Sequence, residues 1–107
     1  MNFKILLSDT FQKNFKQLAK KHSSLKSDLL KLIDSLEINP SQGTPLGNNL
    51  FKIRLAITST GKGKSGGARV ITLVKVVNQE VFLITIYSKT DRESISKEEL
   101  DKLAKDL

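Results

Sequence analysis

The sequence predicts an α+β domain in which an N-terminal strand and a helical hairpin pack on a mainly antiparallel four-stranded sheet, with a helix at the C-terminus. Two observations predict this class. Apolar residues recur at helical spacing through residues 11–36, and three strand-like segments follow between residues 50 and 87. The chain of 107 residues has the size of a single domain, which we take as residues 1–107.

The first half of the chain predicts a strand and two helices. Phe3 to Leu7 is a short apolar run typical of a strand, and Ser8 or Asp9 can cap the helix that follows. Residues 22–24 interrupt the helical pattern and Asn39-Pro40 ends it, so two antiparallel helices with a short connection are expected. The apolar residues at helical spacing are Phe11, Phe15, Leu18 and Ala19, then Leu25, Leu29, Ile33 and Leu36.

The second half predicts the rest of the sheet. Residues 39–49 contain two prolines and two glycines and are expected to form a loop. Leu50 to Ile57 alternates between apolar and polar residues, as a half-buried strand does. Residues 68–77 and 80–87 are apolar runs expected to pair as a hairpin, and Ser96-Lys97-Glu98-Glu99 is a capping box that opens the last helix.

Composition excludes several kinds of site. Cysteine is absent, which excludes disulfides and thiolate zinc sites, and the N-terminal apolar run is too short for a signal peptide or a membrane span. His22 is the only histidine and is expected to be a surface residue between the helices. Glu80 is the only acid in residues 50–89, too few for a two-metal nuclease. We therefore expect a cytoplasmic protein that uses no metal and no cofactor and binds no membrane.

The positive charge is concentrated in the middle of the chain. The formal net charge is +7; residues 50–89 hold seven Lys/Arg and one Asp/Glu, whereas residues 90–107 hold four and six. Scattered lysines often only solubilise strand edges. Here the excess falls on a glycine-rich loop and on strands, which favours a polyanionic partner such as RNA or DNA.

The basic loop is GKGKSGGARV, residues 61–70. Gly63-Lys64-Ser65 is similar to the end of a nucleotide-binding P-loop, but that motif needs a glycine where this chain has Thr58, and a helix directly afterwards. The loop is therefore expected to meet another anion.

Strand parity places further polar side chains beside this loop. If the apolar residues of segment 50–57 face the helices, the basic ones project from the opposite face. The register that would align these strands is not readable from sequence. The simplest arrangement of the basic side chains is a shallow groove on this face of the sheet. The pairs that share a parity are Lys52 with Arg54, Arg69 with Lys75, and Tyr87 with Lys89.

Three segments carry a resemblance to a known family. Phe51-Lys52-Ile53-Arg54, GKSGGARVI at 63–71 and VFLITIYSKTDRESISKEEL at 81–100 resemble the RelE/ParE superfamily of bacterial toxins, most closely its HigB-type branch. The resemblance spans essentially the whole chain and is most specific at "GGAR" and "YSK". It implies a RelE-like fold and the toxin of a type II toxin-antitoxin module. Such a toxin inhibits translation by cutting mRNA in the ribosomal A site, in contact with ribosomal RNA. The implied partner is a cognate antitoxin, expected to be a helix-turn-helix DNA-binding protein.

The residue inventory permits the implied chemistry. RNA cleavage without metal needs a base for the ribose 2′-hydroxyl, cations for the charge on phosphorus, and an acid for the leaving 5′-oxygen. Arg69 is the candidate clamp for the scissile phosphate, because its paired donors match a phosphate; the assignment of base and acid stays open. The candidate catalytic residues are Arg69, Lys52, Arg54, Tyr87 and Lys89, and the candidate contacts to RNA or the ribosome are Lys62, Lys64, Lys75 and Arg92.

Two other classes of function stay open at this stage. A ParE-like toxin shares the scaffold and inhibits DNA gyrase by binding, without nuclease activity. A plain nucleic-acid-binding module would position RNA or DNA without reacting.

Overall fold

The computed structural model describes residues 2–92, 94–105 and 107, with residue 65 described by its backbone alone. The chain forms five strands and three α-helices within these residues, and none of the helices is long and apolar enough to cross a membrane. In chain order they are β1 (Lys4–Leu7), α1 (Asp9–Ala19), α2 (Leu25–Ile38), β2 (Thr44–Gly47), β3 (Leu50–Leu55), β4 (Ala68–Lys75), β5 (Glu80–Ser88) and α3 (Lys97–Lys105).

The strands form one sheet in the order β1-β5-β4-β3-β2. Every neighbouring pair is antiparallel except β1 and β5, which run parallel with Lys4 opposite Glu80. A parallel pair needs a long connection, and here the chain between β1 and β5 contains the helical hairpin and strands β2 to β4. The predicted α+β class and the mainly antiparallel sheet are confirmed.

The prediction of four strands was wrong by one strand. Thr44–Gly47, which the sequence placed in a loop, is the edge strand β2 and pairs with β3. Asn48 and Asn49 join the two strands, with φ of 53° and 63°. A type I′ hairpin turn requires positive φ at both central residues, and asparagine tolerates it. The edge position also explains why a strand can contain Pro45.

The helical hairpin covers one face of the sheet. Ser8 caps α1 as expected, since its hydroxyl accepts a hydrogen bond of 3.0 Å from the backbone N–H of Phe11. The apolar side of β3 faces the hairpin, as its alternation predicts. The buried core on this face consists of Phe11, Leu18, Leu25, Leu29, Leu32, Leu36, Ile53, Ile57, Ala68, Val70, Val74, Val81, Leu83 and Ile86.

Helix α3 packs on the opposite face, where an open basic groove was expected. Leu100 is buried there against Ile71, Ile84 and Tyr87. The apolar side of α3 has to be buried, and the hairpin already occupies the other face. The cations predicted on this face are therefore limited to the part of it that α3 leaves open.

Candidate nucleic-acid interface

Strand register brings three of the predicted catalytic residues into one row. Arg54 lies directly opposite Arg69, and Arg69 lies directly opposite Tyr87. With neighbouring strands about 4.8 Å apart, the row spans about 10 Å across the face that carries α3. Lys52 lies two residues before Arg54 on β3. Lys89 follows the end of β5, on the opposite side of the row, and its backbone N–H donates to the carbonyl of residue 67.

Arg69 is the central residue of the row and organises the basic loop. Its side chain is buried, and Nη1 donates to the carbonyl of Lys64 at 3.0 Å and to that of Ala68 at 3.1 Å. The guanidinium therefore ties the loop to the start of β4. Its predicted role as a phosphate clamp stays a prediction, because its described contacts are with the protein.

Tyr87 places a protonated phenol at the end of the row. The side chain is only 7% exposed, and Oη is buried without a hydrogen-bond partner among the described residues. Burial raises the pKa of the phenol, against the opposing effect of the nearby Arg92 and Arg69 charges. The Tyr87 phenol is therefore protonated at neutral pH.

Arg92 covers the Tyr87 ring and pairs with Glu99. The Arg92 guanidinium lies 5.4 Å from the ring centroid and donates to both Glu99 oxygens, at 3.2 and 2.9 Å. The hydrogen bonds from Arg92 lower the pKa of Glu99. Since both side chains are about 40% exposed, the pair contributes only about 0.2–1 kcal/mol to the free energy of unfolding. Its consequence is positional, because Glu99 belongs to α3 and the pair links this helix to the segment that follows β5.

A buried carboxylate holds the start of the basic loop. β3 ends at Leu55, two residues earlier than predicted, and Thr58–Thr60 forms a 3-10 turn. Asp28 of α2 accepts hydrogen bonds from the backbone N–H (2.9 Å) and hydroxyl (2.5 Å) of Thr58 and from the Ser24 hydroxyl (2.9 Å). Burial raises the pKa of Asp28, but these bonds and the Lys31 charge outweigh it, so the pKa is lowered.

Gly67 fits against the backbone of β3. A Cβ atom at this position would lie 2.2 Å from the carbonyl oxygen of Leu55. Glycine in or beside a strand can leave room for the close approach of a ligand backbone. At Gly67 the space is occupied instead by the chain's own strand, because β4 must begin beside the end of β3.

The remaining predicted RNA contacts are divided between two places. Lys62 and Lys64 lie in the loop beside the row. Lys75 lies at the other end of β4, roughly 20 Å from Arg69 along the strand, with its Nζ 5.0 Å from the Phe82 ring centroid. The structure therefore does not bring Lys75 together with the row.

Sequence reasoning missed two carboxylates that shape this site, Asp28 and Glu99. Each has a local signal: Ser24 stands four residues before Asp28, and Glu99 is the last residue of the capping box. Only half of that box forms, because Ser96 accepts from the Glu99 backbone N–H while the Glu99 carboxylate binds Arg92. Among the described residues, no three His, Cys, Asp or Glu side chains cluster as metal ligands.

Fold and site together define a small basic α+β domain in which arginines and a buried tyrosine share one row. The chain belongs to the RelE toxin family: residues 10–106 match the family described as "RelE toxin of RelE / RelB toxin-antitoxin system". The resemblance to the RelE/ParE superfamily is thereby confirmed. Comparison with curated proteins gave no significant match.

Solved structures share the fold at low sequence identity. A double arginine-to-alanine mutant of E. coli toxin RelE in the free state aligns with a TM-score of 0.65 and 18% identity, over 100% of this chain and 99% of that one. The isolated E. coli RelE toxin gives 0.52 and 18% over 98% and 99%, and the intact E. coli RelBE toxin-antitoxin complex gives 0.51 and 20% over 78% and 93%. These likenesses show a RelE-like fold.

Proposed function

We propose that the protein is a ribosome-dependent, metal-independent endoribonuclease that cuts mRNA in the ribosomal A site and so inhibits translation. The observation that carries the proposal is the row formed by Arg54, Arg69 and Tyr87. The row combines cations with a proton donor. Cleavage of a phosphodiester requires both kinds of group, whereas binding of RNA alone requires no proton donor. Such a toxin acts in the cytoplasm.

The chemistry is an in-line attack of a ribose 2′-hydroxyl on the adjacent phosphorus. The bond from phosphorus to the 5′-oxygen breaks, leaving a 2′,3′-cyclic phosphate and a 5′-hydroxyl. Arg54 and Arg69 stabilise the charge on the phosphoryl oxygens. Tyr87, whose phenol is protonated at neutral pH, gives its proton to the leaving 5′-oxygen. Lys52 and Lys89, on either side of the row, are the candidate bases for the 2′-hydroxyl.

The same geometry supports dependence on the ribosome. The site offers no histidine base, and Arg92 with α3 covers the Tyr87 ring. RNA reaches the Tyr87 hydroxyl only when this cover moves aside and the message is held near in-line geometry. External positioning of this kind can contribute about 7–11 kcal/mol to lowering the barrier.

A cognate antitoxin is part of the proposal. The family description pairs RelE with RelB, and the E. coli RelBE complex is a toxin-antitoxin assembly. We expect a helix-turn-helix DNA-binding protein with an acidic segment that neutralises the cations of this face. Co-expression of this antitoxin should restore the growth of cells that produce the toxin.

The test is primer extension on a defined message in a reconstituted translation reaction, with and without ribosomes. Arg54→Ala is the preferred variant, because Arg54 is exposed and its loss should leave the fold intact, whereas Arg69 holds the loop. Lys13→Ala, an exposed lysine on α1, is the matched control. We expect cuts only with ribosomes, strongly reduced in Arg54→Ala and unchanged in Lys13→Ala. Absence of cuts in every lane, with gyrase-dependent DNA damage in cells, would replace this proposal with gyrase inhibition.

A further inference from the structure

A second basic surface adjoins the row, in a cleft between α2 and the end of β3. The cleft has a volume of about 280 Å3, and its charged lining includes Lys31 of α2, Arg54 of β3 and Lys64 of the basic loop. Arg54 and Lys64 also line a neighbouring shallow cleft of about 430 Å3 that contains Lys52. Positive side chains therefore continue from the row across β3 to α2.

The cations of this cleft are available to an anion. Lys31 and Arg54 are exposed, and the one ion pair among the described residues joins Arg92 to Glu99 instead. Among the described residues of the lining, Asp28 is the only acid, and its carboxylate already accepts hydrogen bonds from Thr58 and from Ser24, which precedes α2. Three cations against one carboxylate leave the cleft with a net charge of +2.

The lining suits a phosphodiester backbone better than a base. None of the described residues in the lining is aromatic, so these residues offer no ring on which a base could stack. Its strongest polar groups are donors: one guanidinium, which can bind a phosphate through two parallel hydrogen bonds, and two ammonium groups, which act as point charges. The cleft is open to solvent and shares Arg54 with the row.

We propose that Lys31, Arg54 and Lys64 form a phosphate-binding subsite that holds the RNA backbone next to the cleavage row. This inference rests on the proposed function for the identity of its ligand as RNA. Lys31 is then a positioning residue. It strengthens binding of substrate and transition state alike, so its loss raises KM and leaves kcat unchanged.

The experiment compares Lys31→Ala with Lys26→Ala. Both are exposed lysines of α2, but Lys26 does not line the cleft, and alanine favours the helix in both variants. Fluorescence anisotropy measures binding to a labelled single-stranded RNA whose 2′-hydroxyls are methylated, so that it cannot be cut. Cosedimentation measures binding to ribosomes with a vacant A site.

We expect Lys31→Ala to weaken RNA binding about two- to fivefold and to reduce the slope of log Kd against log salt by about 0.7, with Lys26→Ala unchanged. An effect with the oligonucleotide assigns the phosphate to the message, and an effect with ribosomes alone assigns it to ribosomal RNA. Equal behaviour of the two variants in both arms, or no binding by the wild type, overturns the subsite. A wild type that binds with this Lys31 dependence but never cuts would refute the nuclease and leave the subsite standing.

Discussion

Removal of the Tyr87 hydroxyl should separate stability from activity. Tyr87→Phe keeps the ring against Leu100 and Arg92 and deletes a buried Oη that has no partner among the described residues. A buried hydroxyl without a partner costs about 1–3 kcal/mol, so the free energy of unfolding should rise by up to that amount. If the phenol is the acid, cleavage should fall about 10²- to 10⁴-fold. Urea unfolding and single-turnover cleavage on ribosomes measure the two effects.

Thr72→Val is the matched control for this variant. The Thr72 side chain is fully buried on β4, and its hydroxyl also has no partner among the described residues. By strand alternation it faces the helical hairpin, on the other side of the sheet from Arg69. Thr72→Val should therefore raise stability to a similar extent and leave cleavage unchanged. Wild-type cleavage by Tyr87→Phe, or a clear loss of its stability, would refute the reasoning about this hydroxyl.

Two further predictions concern the basic loop. Asp28→Ala should lower the free energy of unfolding by about 1–3 kcal/mol, because it leaves the donors of Thr58 without their acceptor. Since the folded-state pKa of Asp28 is lowered, its stabilisation is present above the unfolded value of about 3.9 and is lost as pH falls through the folded value. Urea unfolding of Asp28→Asn should show a flatter stability profile over that range. Gly67→Ala should destabilise the fold and reduce cleavage, because its Cβ would lie 2.2 Å from the Leu55 carbonyl oxygen. Gly61→Ala, where φ is 69° and the space is open, should cost only about 1–2 kcal/mol.

Each of these predictions has an outcome that would contradict it. If the free energy of unfolding of Asp28→Asn falls at acid pH as steeply as that of the wild type, another group controls stability in this pH range. Equal losses from the two glycine variants would show that backbone conformation, rather than contact with β3, explains the role of Gly67.

Much of the fold was predictable because its signals are local. The alternation of residues 50–57 assigned Ile53 to the helical hairpin, and the structure confirms this face. Ser8 and Ser96 cap the helices that follow them, as their positions predict. Strand β2 was missed because its proline and glycine are typical of a loop. The sequence signal for its hairpin turn is Asn48-Asn49, since asparagine tolerates the positive φ that both residues adopt.

The candidate site was predictable in residue type and less so in arrangement. The sequence singled out Arg54, Arg69 and Tyr87 as functional residues but could not align their strands, because a one-residue shift of register moves every side chain to the other face. The structure places the three in one row. Lys75 lies six residues after Arg69 on β4, and this separation from the row follows from strand spacing without the tertiary structure.

The sequence by itself determined the local structure: helical and strand periods, two caps, the glycine-rich loop and the position of the excess charge. These depend on neighbours along the chain. Only the tertiary structure decided that α3 covers Tyr87, that Asp28 holds the loop at Thr58, and that Lys31 extends the basic surface. Each of these joins residues distant in sequence, and which of them meet depends on register and on which face each helix buries.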